Sequence, residues 1–233
     1  MIQKDLCGYI TTMFSEKLVP ISELSESDKG KVLVDDERKS YNFDKITEIV
    51  YDNKKVPASA DALLATDKEV LLTEFKSGFK RKISKKNLDY SRLTCPDDKT
   101  KVCKDYGNLL IDKGNLEVEE LLDSLRSKAI ESYTTLEKRI LPLCDDLLES
   151  KRARLVFGVV VDDYIDSMED TLTELAGIRS TTNTVTIVKE ALSRFVGLVD
   201  VENKDYYYDE VKVFSPYEYG RYINRFFKVG YGS

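Results

Sequence analysis

The sequence predicts an α/β fold, and three stretches carry that prediction. Residues 60–75 hold two apolar runs separated by Asp67-Lys68, which read as two adjacent strands. Residues 117–139 place Leu121, Leu122, Leu125, Ala129, Ile130, Tyr133 and Leu136 on one face at helical spacing. Arg154–Val161 (RLVFGVVV) is an almost continuous apolar run, the pattern of a strand buried on both faces. Strands interleaved with helices call for a central sheet with helices packed on it. A chain of 233 residues, 42% of them hydrophobic, can bury a substantial core. We read it as one domain over residues 1–233, with an N-terminal extension (1–40), a central region (41–161) and C-terminal helices with an edge strand (162–233).

Residues 1–40 show little periodicity; Lys31–Val34 is the one candidate strand, and the rest reads as a loosely packed lead-in. From Tyr41 to Tyr51 the spacing of Phe43, Ile46, Ile49 and Val50 predicts a helix with Asn42 as its N-cap. Strands are predicted over Ala60–Thr66 and Glu69–Phe75. A turn centred on Asp67-Lys68 pairs Ala65 with Val70, Leu64 with Leu71, Leu63 with Leu72, Ala62 with Thr73 and Asp61 with Glu74. Both faces of this hairpin are apolar, so both should be covered.

A basic segment follows, containing Lys80, Arg81, Lys82, Lys85 and Lys86. Residues 94–115, with Pro96, Gly107 and Gly114, read as an exposed loop before the helix of 117–139. That helix opens on Glu117, Glu119 and Glu120, which suit the positive end of a helix dipole. Asp166–Leu175 and Val185–Val196 are predicted helices, although Val185–Val188 also suits an extended segment. Val211–Phe214 is a candidate edge strand. Pro216–Phe227 is a final helix, with Ser215 as N-cap and Pro216 in the first helical position.

Composition removes several chemistries. The chain has no histidine, so no Ser-His-Asp or Cys-His hydrolase and no histidine general base is possible. Its four cysteines, Cys7, Cys95, Cys103 and Cys144, lack the close spacing of a structural zinc site and are expected as reduced thiols. A net charge of −6 argues against coating nucleic acid by bulk charge, but leaves room for a local basic groove. No apolar run is long enough to cross a bilayer, and the N-terminus is too polar for a secretory signal. A soluble cytoplasmic protein is the expectation.

The hairpin register makes a chemical statement. Directly opposed residues of an antiparallel pair have Cβ atoms about 4.5–5.5 Å apart. Asp61 and Glu74 so placed repel unless a proton or a cation lies between them. A divalent ion answers that need, and magnesium favours a few carboxylates plus waters and phosphate oxygens. Strand alternation puts Glu74 and Lys76 on the same side, with Phe75 facing away. The Lys76 ammonium then stands beside the carboxylates, able to orient an attacking water and to stabilise charge on a phosphate.

Asp61 in Ala-Asp-Ala-Leu-Leu, Glu74-Phe75-Lys76 in LLTEFKSG and the order of elements around them resemble the PD-(D/E)xK, or restriction-endonuclease-like, nuclease superfamily. The resemblance spans residues 41–161. It implies a restriction-endonuclease-like core: a central mixed β-sheet flanked by α-helices, here with an extra C-terminal strand and helices. It departs from the family in two places. Pro57 does not directly precede Asp61, and no first core strand is visible.

By this resemblance Asp61, Glu74 and Lys76 are the catalytic set. Asp61 and Glu74 hold Mg2+ (with Mn2+ as substitute), Glu48 joins them from the preceding helix, and Lys76 serves the water. Lys80, Arg81, Lys82, Arg126 and Lys128 are candidate phosphate contacts, although the basic run also reads as a solvated loop. The implied activity is hydrolysis of phosphodiester bonds, in DNA rather than RNA, with no membrane partner and with a homodimer allowed. The alternative is a catalytically inactive nuclease-fold protein that binds nucleic acid or protein. Tyr206-Tyr207-Tyr208 and the cluster of Tyr217, Tyr219 and Tyr222 suit either base stacking or packing against the core.

Overall fold

The computed structural model describes residues 6–27, 29–79, 101–144, 153–162, 184–195 and 207–227, and of residues 101–104, 184–186 and 194 the backbone alone. Six strands form one mixed sheet in chain order: β1 (Leu18–Pro20), β2 (Lys39–Asn42), β3 (Ala62–Ala65), β4 (Glu69–Lys76), β5 (Arg154–Val161) and β6 (Glu210–Phe214). β1 to β4 run antiparallel to their neighbours, and β5 and β6 each add in parallel. The helices are α1 (Leu6–Met13), α2 (Ile21–Leu24), α3 (Phe43–Val50), α4 (Lys101–Thr135), α5 (Thr184–Leu192) and α6 (Pro216–Phe227). No helix of the described residues is long and apolar enough to cross a membrane.

Alternation along the strands sorts the core into two layers. Leu63, Val70, Leu72, Leu155, Phe157 and Val159 face α1, α3, α4 and α5, where they meet Ile10, Phe43, Ile46, Leu122, Leu125 and Val188. Leu64, Leu71, Val156, Val160 and Phe214 face the other way, onto Ile21, Tyr219 and Ile223 of α2 and α6. The hairpin of β3 and β4 is thus covered on both faces. Its pairs are Ala62 with Thr73, Leu63 with Leu72, Leu64 with Leu71 and Ala65 with Val70, as a turn on Asp67-Lys68 requires. Thr66 fastens that turn. Its N–H donates to Glu69 O at 2.8 Å, and its hydroxyl accepts from the N–H groups of Lys68 and Glu69.

Several expectations change. Residues 6–40 are not a loose extension, since they supply two strands and the buried Leu6, Ile10, Phe14 and Ile21. Strands of three and four residues, one of them Lys-Ser-Tyr-Asn, are too short and polar to leave a periodic signal. Lys31–Val34 forms no strand; Val32 makes an isolated bridge with Glu26, while Leu33 and Val34 pack under α6. β2 occupies the sheet position beside β3 but precedes α3 in the chain, so the helix starts at Phe43 rather than Tyr41. Asn42 caps it, accepting from Lys45 N–H at 3.0 Å, and Ile49 lies exposed rather than on the buried face.

Residues 101–115 belong to α4, not to a loop. Glycine weakens a helix by about 1 kcal/mol without breaking it, and no proline lies between Pro96 and Pro142 to stop the turn. Residues 94–100, the helix predicted over Asp166–Leu175, and Tyr206 lie outside the described residues. Tyr207 and Tyr208 take the packing role: Tyr208 is buried and donates to Ala129 O at 2.7 Å, and Tyr207 meets the ring of Phe195 edge-on. Ser215 caps α6 with Glu218, whose carboxylate accepts the Ser215 N–H in return.

β5 is paired on both sides, and Gly158 leaves room there for a ring. A Cβ at this position would stand 3.1 Å from Phe214 Cε2 and 3.2 Å from Leu71 Cδ1, both in the core. Gly158→Val is therefore expected to destabilise the protein by about 1–3 kcal/mol through overpacking. A urea midpoint unchanged from wild type would contradict this.

Candidate functional site

The site forms where the hairpin meets α4. Glu74 and Lys76 follow Val70 and Leu72 on the α4 side of β4, while Phe75 turns to the other face and packs edge-on against Tyr219. Asp61 stands just ahead of β3. Its Oδ2 accepts the Phe75 N–H at 2.7 Å, so its carboxylate extends the hairpin ladder by one link and is held opposite Glu74. Its carbonyl accepts the Phe43 N–H at 3.1 Å, which ties the same residue to the start of α3.

α4 supplies the cation. Lys128 Nζ donates to Asp61 Oδ1 at 3.1 Å and to Glu74 Oε2 at 2.8 Å. Lys76 Nζ stands 2.8 Å from Glu74 Oε1. Glu74 is 1% exposed, against about a fifth for the side chains of Asp61, Lys76 and Lys128. Lys128 Nζ is also 2.8 Å from Glu74 Oε1, so both ammonium groups stand against that buried oxygen.

The electrostatics follow from this burial. Desolvation, and then the Asp61 charge, push the Glu74 carboxyl up from 4.5 to about 7; Lys76 and Lys128 pull it back. Burial works against the charged form of Lys128, but the carboxylates of Glu74 and Asp61 outweigh it and raise the ammonium well above its ordinary value.

The chain leading to Asp61 is pinned to two helices. Ala60 N–H donates to Ser132 Oγ at 2.8 Å, Ala58 N–H to Glu131, and Ser59 Oγ to Asp44 on α3. Asp44 sits in the first turn of α3, and desolvation raises its carboxyl above the usual range against the pull of Ser59 and Lys128. At the exit of β4, Gly78 turns with φ +73° and its N–H donates to the buried Asp162 at 2.7 Å. Ser132→Ala should cost about 1–3 kcal/mol by leaving the buried Ala60 N–H without a partner. Thermal denaturation of that variant at the wild-type midpoint would count against this account of the anchor.

Asp61, Glu74, Lys76 and Lys128 are thus brought together. Lys128 stands inside the pair of carboxylates rather than at a phosphate-facing edge. Glu48 is bound to Lys45 at 2.8 Å on the outer side of α3. Arg126 projects elsewhere, donating to Ala191 O at 3.3 Å and pairing with Asp123. Lys80, Arg81 and Lys82 lie outside the described residues.

Sequence reasoning missed Asp44, Ser132 and Asp162. Ser132 had a signal: with Lys128 it is a polar residue in the stripe of Leu125 and Ala129, four positions apart on one helix face. Among the described residues no group of three or more His, Cys, Asp and Glu side chains is arranged to hold a metal ion. Asp61 and Glu74 are the two facing carboxylates that could hold a divalent ion drawing its remaining ligands from water and phosphate, and Lys76 and Lys128 stand against them here.

The chain matches no known family model, no curated protein and no solved structure.

Proposed function

We propose that this protein is a Mg2+-dependent nuclease of the restriction-endonuclease-like type, hydrolysing phosphodiester bonds in DNA. The observation that carries the reading is the convergence of Asp61, Glu74 and Lys76 on one side of the hairpin end. A six-stranded mixed sheet flanked by helices supports it, with the candidate site at the mouth of its central strands.

Asp61 and Glu74 would hold the ion, which supplies positive charge to polarise a phosphate oxygen. The chain's own residues have distinct tasks. Glu74, buried under α4, fixes the inner position, and Asp61 is oriented by the Phe75 N–H. Lys76, partly open to solvent, can orient a water and counter charge developing on the phosphate. Lys80, Arg81 and Lys82 follow Gly78 in sequence and are proposed to meet the nucleic-acid backbone.

Duplex and single-stranded DNA are to be incubated with the protein in Mg2+, in Mn2+ and in EDTA. Cleavage in either metal that EDTA abolishes is the expected result; DNA left intact under all conditions contradicts it. The second reading, a binding module on the same fold, draws support from Lys76 and Lys128 already matching the charge of both carboxylates. It predicts DNA retention without cleavage, indifferent to the metal.

A further inference from the structure

We propose that Lys128 is a resident counter-cation, and that a divalent ion reaches Asp61 and Glu74 only by displacing its ammonium. This rests on the reading of Asp61 and Glu74 as the metal-binding pair.

Three observations carry it. The first is position. Lys128 Nζ lies 3.1 Å from Asp61 Oδ1 and 2.8 Å from both oxygens of Glu74. A point within reach of both carboxylates is the point a shared divalent ion must take, and two cations cannot occupy it together. The second is charge. Asp61 and Glu74 are matched by Lys76 and Lys128, so a divalent ion added to the intact cluster would leave it strongly positive inside a largely buried site.

The third is how the ammonium is delivered. Lys128 does not swing in from a surface loop. It projects from α4 at a position flanked on the helix by Leu125, Ala129 and Ser132, all fully buried. Asp44, held by Ser59 on α3, exerts its charge on Lys128 from the flank of the site. Lys76 differs, since its ammonium reaches Glu74 and leaves Asp61 to Lys128.

Metal binding is then an exchange, weakened by the ion pairs that must break. Mn2+ binding is to be measured on the full chain without nucleic acid, by titration calorimetry or by electron paramagnetic resonance of unbound Mn2+. Lys128→Met is expected to bind Mn2+ about 10- to 100-fold more tightly than wild type, the equivalent of one charge-assisted hydrogen bond no longer opposing the ion. Lys76→Met should change affinity less. Affinity in Lys128→Met equal to or weaker than wild type overturns the counter-cation and leaves the metal pair standing. Absence of Mn2+ binding in both proteins overturns the inference together with the metal reading.

A second measurement needs no variant. Acetic anhydride labels exposed lysine amines, and peptide mass spectrometry resolves Lys128. Labelling of Lys128 in wild type should accelerate severalfold in saturating Mg2+, while a rate that Mg2+ leaves unchanged overturns the proposal.

Discussion

Lys76→Met is expected to lower kcat for Mg2+-dependent DNA cleavage by about 10²–10³-fold, the usual loss when one donor to a developing negative charge is removed. The effect should fall on kcat rather than KM, because the ammonium matters most to charge that appears in the transition state. Lys76 is a clean position to change. It lies at the end of β4, is partly exposed, and touches the cluster through Glu74. The fold should survive, which a melting curve verifies. Asp61→Asn should give a loss of at least similar size. The asparagine oxygen can still accept the Phe75 N–H that positions the residue, so the shape of the hairpin end is kept while one anionic ligand is lost. Should both variants cleave DNA as fast as wild type under single-turnover conditions, the assigned chemistry is wrong.

The metal-free protein should lose stability between pH 5 and pH 8, with Glu74 as the cause. Its carboxyl is raised from 4.5 to about 7 in the folded state, first by burial and then by Asp61. A carboxyl raised on folding holds its proton more tightly in the native state. Its contribution is therefore complete below pH 4.5 and is lost as pH rises through about 7. The largest possible change is on the order of 3 kcal/mol. The raised carboxyl of Asp44 acts in the same direction. The raised ammonium of Lys128 contributes stability that persists through this window and fades only in strong alkali. Urea unfolding in EDTA at several pH values gives the slope, and Glu74→Gln should flatten it. An equal slope in that variant would mean that the loss arises elsewhere, for instance from overall negative charge.

Much of this architecture was readable because it rests on patterns of period two and period 3.6. The hairpin register followed from a turn centred on Asp67-Lys68, and Thr66 supplies the hydrogen bonds that make that dipeptide adequate there. The continuous run of Arg154–Val161 is the central parallel strand between β4 and β6. What could not be read was set by contacts distant in sequence. Lys39–Asn42 is a strand because Ser40 Oγ reaches Leu63 O and Tyr41 faces the core, neither of which is a local preference. The demand for a proton or a cation between Asp61 and Glu74 was legible from the hairpin register. That the cation present is an ammonium from position 128 depends on how α4 crosses the sheet, which no spacing in the sequence encodes.

The turn at Asp67-Lys68 also limits how this chain can change over generations. Most surface connections accept one residue more or less at small energetic cost. Here the count has parity. One added residue must be absorbed as a local bulge, or it rotates every later side chain of β4 to the opposite face. Glu74 and Lys76 would then enter the layer of Tyr219 and Ile223, and Thr73 and Phe75 would meet Lys128. Gain or loss at this point should therefore come in twos, making the length of an unremarkable turn heritable information about the site at the far end of the hairpin.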